Sequence, residues 1–166
     1  MTEDLVDELL ADWAVEHPDK DVTALGVVVR VQHLGKLLRQ GTGRALKRHG
    51  LKHWEYDVLS VLRRSGKPFE MAASDIARAA VLTSGAMTTR IDGLAARGLV
   101  RRRQSKEDGR SVLVRLTPAG KRLVDAAIDT RLADADSALA RIPASERRQL
   151  AASLRRLMLA IDGQAG

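Results

Sequence analysis

Residues 84–116 read SGAMTTRIDGLAARGLVRRRQSKEDGRSVLVRL, and their period changes partway along. From Ser84 to Arg97 the apolar residues Met87, Ile91 and Leu94 recur at three- and four-residue spacing, which makes one stripe of an α-helix. Gly98 follows as a helix stop. Beyond it the period is two. Val100-Arg101-Arg102-Arg103 forms one short strand, and Ser111–Leu116 a second with Val112, Val114 and Leu116 on one face. The connection Gln104–Arg110 is polar and contains Gly109, so the pair reads as a hairpin with a charged tip.

Upstream, residues 53–64 predict a helix with Trp54, Val58, Val61 and Leu62 on one face. Ser65-Gly66-Lys67-Pro68 is a turn. Ser74 is placed to N-cap a short helix, Asp75–Ala80, and a tight step at Val81-Leu82-Thr83 leads into the helix at Ser84. Helix, short helix, step, helix and basic hairpin make a helix-turn-helix with a wing. The second helix of such a pair fits the major groove, and the hairpin reaches the neighbouring phosphates or minor groove.

A helical wheel tests that reading. Met87, Ile91 and Leu94 must face a core, which turns Gly85, Thr88, Thr89 and Asp92 outward. With Ser84 at its start, that face is small and polar, so backbone can approach base edges. Threonine methyls suit thymine methyls, and hydroxyls suit bases or phosphate. An ordinary solvated face carries more Lys and Glu. Asp92 is read as positioning a neighbouring arginine. Alternation sends Arg102 to the opposite face from Arg101 and Arg103, so at least one of the three faces protein or a partner. Arg101, Arg103, Lys106 and Arg110 are the candidate wing contacts to DNA; for the strand arginines the plain alternative is a solubilising sheet edge.

The flanks are helical. Residues 2–16 carry Leu5, Leu9 and Trp13 on a stripe with Val6 and Leu10, and His17-Pro18-Asp19 ends it. A long pattern runs from Val22 to about Arg48, weakened by Gly41 and Gly43 and ended by Gly50; its Leu and Val positions suggest a core-spanning helix with a basic outer side. Thr117-Pro118 opens a helix to about Ala140. After Pro143 the last helix carries Leu150, Leu154, Leu157, Met158 and Ile161 as one apolar stripe.

The chain has 166 residues, enough for one domain, and at 2% aromatics its core must be aliphatic. A net charge of +7 favours a polyanionic partner. The basic residues cluster. Arg30–Trp54 holds Arg30, Lys36, Arg39, Arg44, Lys47, Arg48 and Lys52 with no acid, and Arg97–Arg110 holds six against Glu107 and Asp108. With no cysteine, disulfides, thiolate zinc sites and cysteine redox sensing are excluded. The acidic start lacks the apolar region of a leader, and no stretch approaches 18 apolar residues, so a soluble cytoplasmic protein without membrane association is expected.

Leu82–Gly120 resembles the core signature of the MarR family of transcription regulators. The matching pieces are the Ser-containing helix start, Leu-x-x-x-Gly-Leu-Val before the wing, Asp108-Gly109-Arg110 at its tip and Leu-Thr-Pro-x-Gly after it. The flanking helices match too. The resemblance implies a mainly α winged helix-turn-helix domain spanning 1–166, with a DNA-binding lobe at 53–117. It further implies a homodimer built on helices within 1–50 and 118–166, binding a palindromic double-stranded operator as a repressor. Missing cysteine argues against the peroxide-sensing members.

A narrower resemblance is to the urate-responsive members. These have an extra N-terminal helix bearing a Trp, an Asp early in the third helix, an Arg in the recognition helix and a wing Arg; the positions here are Trp13, Asp57, Arg90 and Arg102. The resemblance implies a small anionic ligand such as urate near these four. The wheel puts Arg90 on the flank of the apolar face, and a semi-buried guanidinium needs an anion. Asp57, Asp75 and a bound ligand are the three candidates, and a ligand-free Arg90–Asp57 ion pair is the main alternative. Trp13 suits plain packing or ligand stacking equally.

No enzyme motif is present: there is no phosphate-binding Gly loop and no nucleophile elbow. His49 and His53 have i, i+4 spacing, but Gly50 lies between them, and solvated or phosphate-contacting histidines are the simpler reading. No cofactor and no metal are expected. A helical interaction module without DNA binding would explain the Ala- and Leu-rich helices, but not the basic hairpin or the small polar helix face.

Overall fold

A computed structural model of the chain describes residues 3–80, 84–104 and 112–163. In chain order the elements are α1 (Leu5–Glu16), α2 (Thr23–Lys47), α3 (His53–Arg64), β1 (Glu70–Ala72), α4 (Ala73–Ala79), α5 (Ser84–Ala96), β2 (Val100–Gln104), β3 (Val112–Leu116), α6 (Pro118–Ala138) and α7 (Ala144–Asp162). The architecture is mainly helical with a small antiparallel sheet, a winged helix-turn-helix. No helix among the described residues is long and apolar enough to cross a membrane.

The core forms where α3, α4, α5, the sheet and α6 meet. Val58, Leu59, Leu62, Ile76, Ile91, Leu94, Val114 and Val124 are fully buried there. Met87 and the Ile91–Leu94 seam face inward, as the wheel requires. The core is aliphatic, and Trp54, Tyr56 and Phe69 pack only at its edge.

The expected two-stranded ribbon is a three-stranded sheet of order β1-β3-β2. β1 pairs with the far side of β3, with Glu70 opposite Arg115 and Ala72 opposite Leu113. A three-residue strand is too short to show alternation, which is why its sequence is silent. β1 runs directly into α4, so the cap position falls on Ala72 and the expected cap, Ser74, is already helical.

The Leu-Thr-Pro-x-Gly motif has a local cause. Gly98 adopts φ +68°, and Leu99 N–H donates to the Leu94 carbonyl (3.0 Å), closing α5 with a left-handed glycine cap. Thr117 Oγ accepts from Gly120 N–H (3.0 Å) and donates to the Gly98 carbonyl (2.7 Å), so one hydroxyl caps α6 and ties it to the end of α5. A Cβ on Gly120 would lie 2.0 Å from the Leu99 carbonyl oxygen, so only glycine permits this approach.

The terminal helices behave differently. Asp4 caps α1, accepting from Val6 N–H and Asp7 N–H, and Arg30 grips Asp4 (2.9 and 3.0 Å) and Asp7 (2.5 Å) from α2. Helix α2 runs unbroken through Gly41 and Gly43, yet residues 31–40 are all exposed, so it does not span a core within one chain. Helix α7 has no buried residue, and no element packs broadly on it. Apart from Leu132, the exposed large hydrophobics, among them Leu34, Leu37, Leu38, Leu154 and Met158, lie on α1, α2 and α7.

Candidate nucleic-acid interface and anion niche

Thr88, Thr89 and Asp92 are exposed along α5, opposite the buried seam. The face proposed for the groove is therefore free of other helices. Ser84 and Gly85 belong to the first turn of α5, and the placement of their side-chain positions is outside the described residues. The same holds for Lys106 and Arg110 at the hairpin tip.

The wing strands sort their arginines by face. Arg102 pairs with Val114 in register, on the inward face. There it donates to Asp92 of α5, joining the wing to the reading helix. Asp92 thus positions an arginine, and that arginine is Arg102. On the outer face, Arg103 reaches across β3 to Glu70 on β1 (Nη2–Oε1 2.5 Å, Nε–Oε2 3.0 Å). That contact holds the Glu70 carboxyl below its ordinary value. Arg103 is therefore anchored to the sheet, a competing engagement that sequence alone could not show without β1. Arg101 stands at the root of the ribbon, three positions before Gln104, roughly 10 Å back along the strand.

Arg97 has a partner that the sequence reading missed. Glu55 is buried, with its side chain 6% exposed, and accepts from Arg97 Nη1 (2.6 Å) and from Lys52 N–H (2.8 Å). Arg97 also donates to the Gly50 carbonyl (3.0 Å). This buried carboxylate clamps the start of α3 to the end of α5. Its only signal in sequence is an acid three residues after a helix boundary, which reads as ordinary capping.

Arg90 lies on the flank of the α5 seam, as expected, but not in an ion pair. Its guanidinium sits over the Trp54 ring, 5.6 Å from the centroid. Its Nη1 is buried and is the one such side-chain atom without a hydrogen-bond partner among the described residues. The Arg90–Asp57 ion pair is therefore absent. Asp75 is also engaged elsewhere, by Arg78 (2.6 Å). Asp57 follows Trp54 by one helical turn on α3, half-buried, and burial pushes its carboxyl up while His53, Arg39, Arg131 and Arg64 pull it down less. The guanidinium with its unmet donor and the aromatic face of Trp54 lie together between α3 and α5, whereas Asp57 makes no contact with Arg90 among the described residues, and the charges acting on its carboxyl are His53, Arg39, Arg131 and Arg64. Trp54, absent from the sequence-stated set, supplies that aromatic face.

The other two expected ligand residues are placed apart from it. Arg102 is held by Asp92. Trp13 is exposed on α1, where its ring stacks on His17 with centroids 5.4 Å apart. Neither packing into this chain's core nor contact with Arg90 holds it. His49 and His53 go separate ways: His49 bonds Thr130 (2.7 Å), and His53 Nε2 meets the Arg39 carbonyl (3.1 Å).

Known proteins share this fold. A model of the MarR family matches residues 49–111. The chain is 28% identical over 152 residues to the HTH-type transcriptional regulator PecS of Dickeya dadantii (strain 3937), covering 92% of each protein. Among solved structures it is similar to Sco5413, a MarR family transcriptional regulator from Streptomyces coelicolor, at 25% identity and TM-score 0.71, over 86% of this chain and 98% of that one. It is also similar to Sco3205 from the same organism, solved in complex with DNA, at 21% identity and TM-score 0.73, over 85% and 90% of the respective chains.

Proposed function

We propose that the chain is a DNA-binding transcriptional regulator of the MarR family, which its similarity to that family's model and to PecS supports, and that it is an anion-released repressor, acting as a homodimer on a palindromic operator. Two lobes present α5 to successive major grooves, with Ser84, Gly85, Thr88 and Thr89 at the bases and the hairpin tip, Lys106 and Arg110, at the backbone or minor groove. The dimer is built on α1, α2 and α7. A monomer rarely exposes a contiguous apolar patch above about 600 Å², and these helices carry nearly every exposed large hydrophobic side chain of the described residues.

The observation that carries the ligand reading is the buried, unpartnered Nη1 of Arg90. Leaving such a donor unmet costs about 1–3 kcal/mol or more, and a planar anion lying near Trp54 would satisfy it through a bidentate contact. Urate fits that chemistry: flat, anionic, with ring N–H groups for Asp57. Arg102 joins by leaving Asp92. Both partners of that pair are substantially exposed, 37% and 53%, so exchanging it costs little. Arg90 and Asp92 both belong to α5, so a ligand that holds Arg90 and draws Arg102 from Asp92 shifts reading helix and wing together. Binding must favour the DNA-incompetent state, and a hundredfold loss of operator affinity needs about 2.7 kcal/mol of coupling.

The test is operator binding by fluorescence anisotropy, titrated with urate, salicylate and xanthine, on wild type and Arg90→Gln. Release by urate at least tenfold, lost in R90Q with DNA affinity intact, supports the reading. Release by salicylate alone keeps the niche and replaces the ligand. An unchanged urate response in folded R90Q sinks the niche.

A further inference from the structure

The outer face of the sheet carries a second cluster of cations that the urate reading does not use and of which Arg115 lies outside the DNA reading as well. Arg101 and Arg115 are directly opposite in the β2–β3 register, so both side chains leave the same face. Their Cβ atoms are then about 5 Å apart. Like charges in that position destabilise a strand pair. The neighbouring acids are already committed: Glu70 binds Arg103, and Asp125 binds Lys121 (2.6 Å) and Arg63 (2.6 Å). Glu70 lies within electrostatic reach of Arg115 but its oxygens are both taken by Arg103. Arg101 and Arg115 make no side-chain hydrogen bond among the described residues.

They line an open cleft of about 620 Å³ between this sheet face and the start of α6. Its other walls include Phe69, Leu116, Pro118 and Lys121. Cations thus stand beside apolar Phe69, Leu116 and Pro118 in its lining, and Glu70, held by Arg103, is its acid. We propose that this cleft is a second anion site, separate from the Arg90 niche, for a small oxyanion-bearing molecule with an apolar body. Arg101 and Arg115 bridge the oxyanion, phosphate or carboxylate, and Phe69 and Leu116 shelter the body. A bridging anion turns the repulsion between the two guanidiniums into attraction and pins β2 to β3 at the root of the wing. The position beside the start of α6, with Pro118 and Lys121 in its wall, favours a small molecule over operator phosphate.

The test uses the full chain, with phenyl phosphate and inorganic phosphate as probes, followed by calorimetry. Saturable binding of phenyl phosphate to wild type and to R90Q, weakened at least tenfold in Arg101→Gln/Arg115→Gln, is the expected result. Circular dichroism checks folding, and the single variants R101Q and R115Q serve if the double variant fails it. Operator affinity of R115Q, measured without phosphate, is expected within threefold of wild type. Three results overturn the proposal. Phenyl phosphate fails to bind wild type. It binds the double variant equally well. Or R115Q loses operator affinity tenfold with a shallower salt dependence, which assigns this face to DNA backbone. Retention in R90Q separates this site from the urate reading, whose failure would leave it standing.

Discussion

The winged lobe and the terminal helices solve the same physical problem in opposite ways. In the lobe, each apolar side chain of the α5 seam meets another within the chain, and Ile91, Leu94 and Val114 are fully buried. In α7 the stripe is at least as regular, yet Met158 and Ile161 are 64% and 58% exposed. Periodicity marks which face wants burial; it does not say against what. The lobe's stripe is covered within the chain, whereas the stripes of α2 and α7 stay open, as the proposed dimer would require.

The sharpest way to break that contrast is to charge the open face. Leu154→Asp with Met158→Asp is expected to convert the dimer to monomer in sedimentation equilibrium. Operator affinity should fall about a thousandfold or more, since each half-site is then held alone. If the variant remains a dimer with full affinity, α7 is not the interface. The matching perturbation inside the lobe is Gly120→Ala. The new methyl would need the Leu99 carbonyl oxygen to move from 2.0 Å, while that backbone is fixed by the Gly98 cap and the Thr117 hydroxyl. The expected cost exceeds about 4 kcal/mol, or a melting temperature lower by roughly 10 °C. A drop of under 3 °C would mean the α5–α6 junction yields.

These two regions also divide what the sequence disclosed. The α5 stripe, its small polar outer face, the Gly98 stop and the Thr117-Pro118 start are local patterns, and the structure follows them. The position of Arg90 on the seam flank is local as well. Its partner is not: the wheel left Asp57, Asp75 and a ligand open, and only tertiary placement shows the guanidinium over Trp54 with a donor unmet. Glu55–Arg97 and Glu70–Arg103 join residues 42 and 33 positions apart. Neither pairing leaves a periodic trace, and β1 is too short to have one. Half-buried acids and arginines look in sequence like solvated charge, so the basic count overstated the free cations on the wing.

Glu55→Gln sharpens that point at intermediate size. The amide keeps the shape but removes the charge that Arg97 meets, with Glu55 buried and Arg97 40% exposed. Urea unfolding should shift by about 1–3 kcal/mol, because a charge-assisted hydrogen bond is lost from a desolvated position. Adding Arg97→Gln on top should cost much less than it does alone. Independent, additive losses would show that the two groups do not work as a clamp.

The smallest effects come from two acids whose pKa values move in opposite directions. Glu70 is held below its ordinary 4.5 by the hydrogen bonds from Arg103. Its folded form therefore binds fewer protons than the unfolded chain near pH 4. The stability it contributes is complete above about pH 4.5 and fades as pH falls through the lowered value. Because Arg103 is half exposed, the contribution stays below about 1 kcal/mol and shrinks in salt. Asp57 is shifted up from 3.8 by burial, so its charged form is a cost present above the raised value and relieved as pH falls. Glu70→Gln should lower the melting temperature at pH 7, and the difference should shrink as pH falls below 4.5. Asp57→Asn should melt at or above the wild-type temperature at pH 7 while losing at least tenfold in urate-driven release. An acid kept against its own desolvation cost is what a ligand site requires and a structural ion pair does not. A fall in stability for D57N at neutral pH would return Asp57 to the scaffold and leave Arg90 to hold the anion without it.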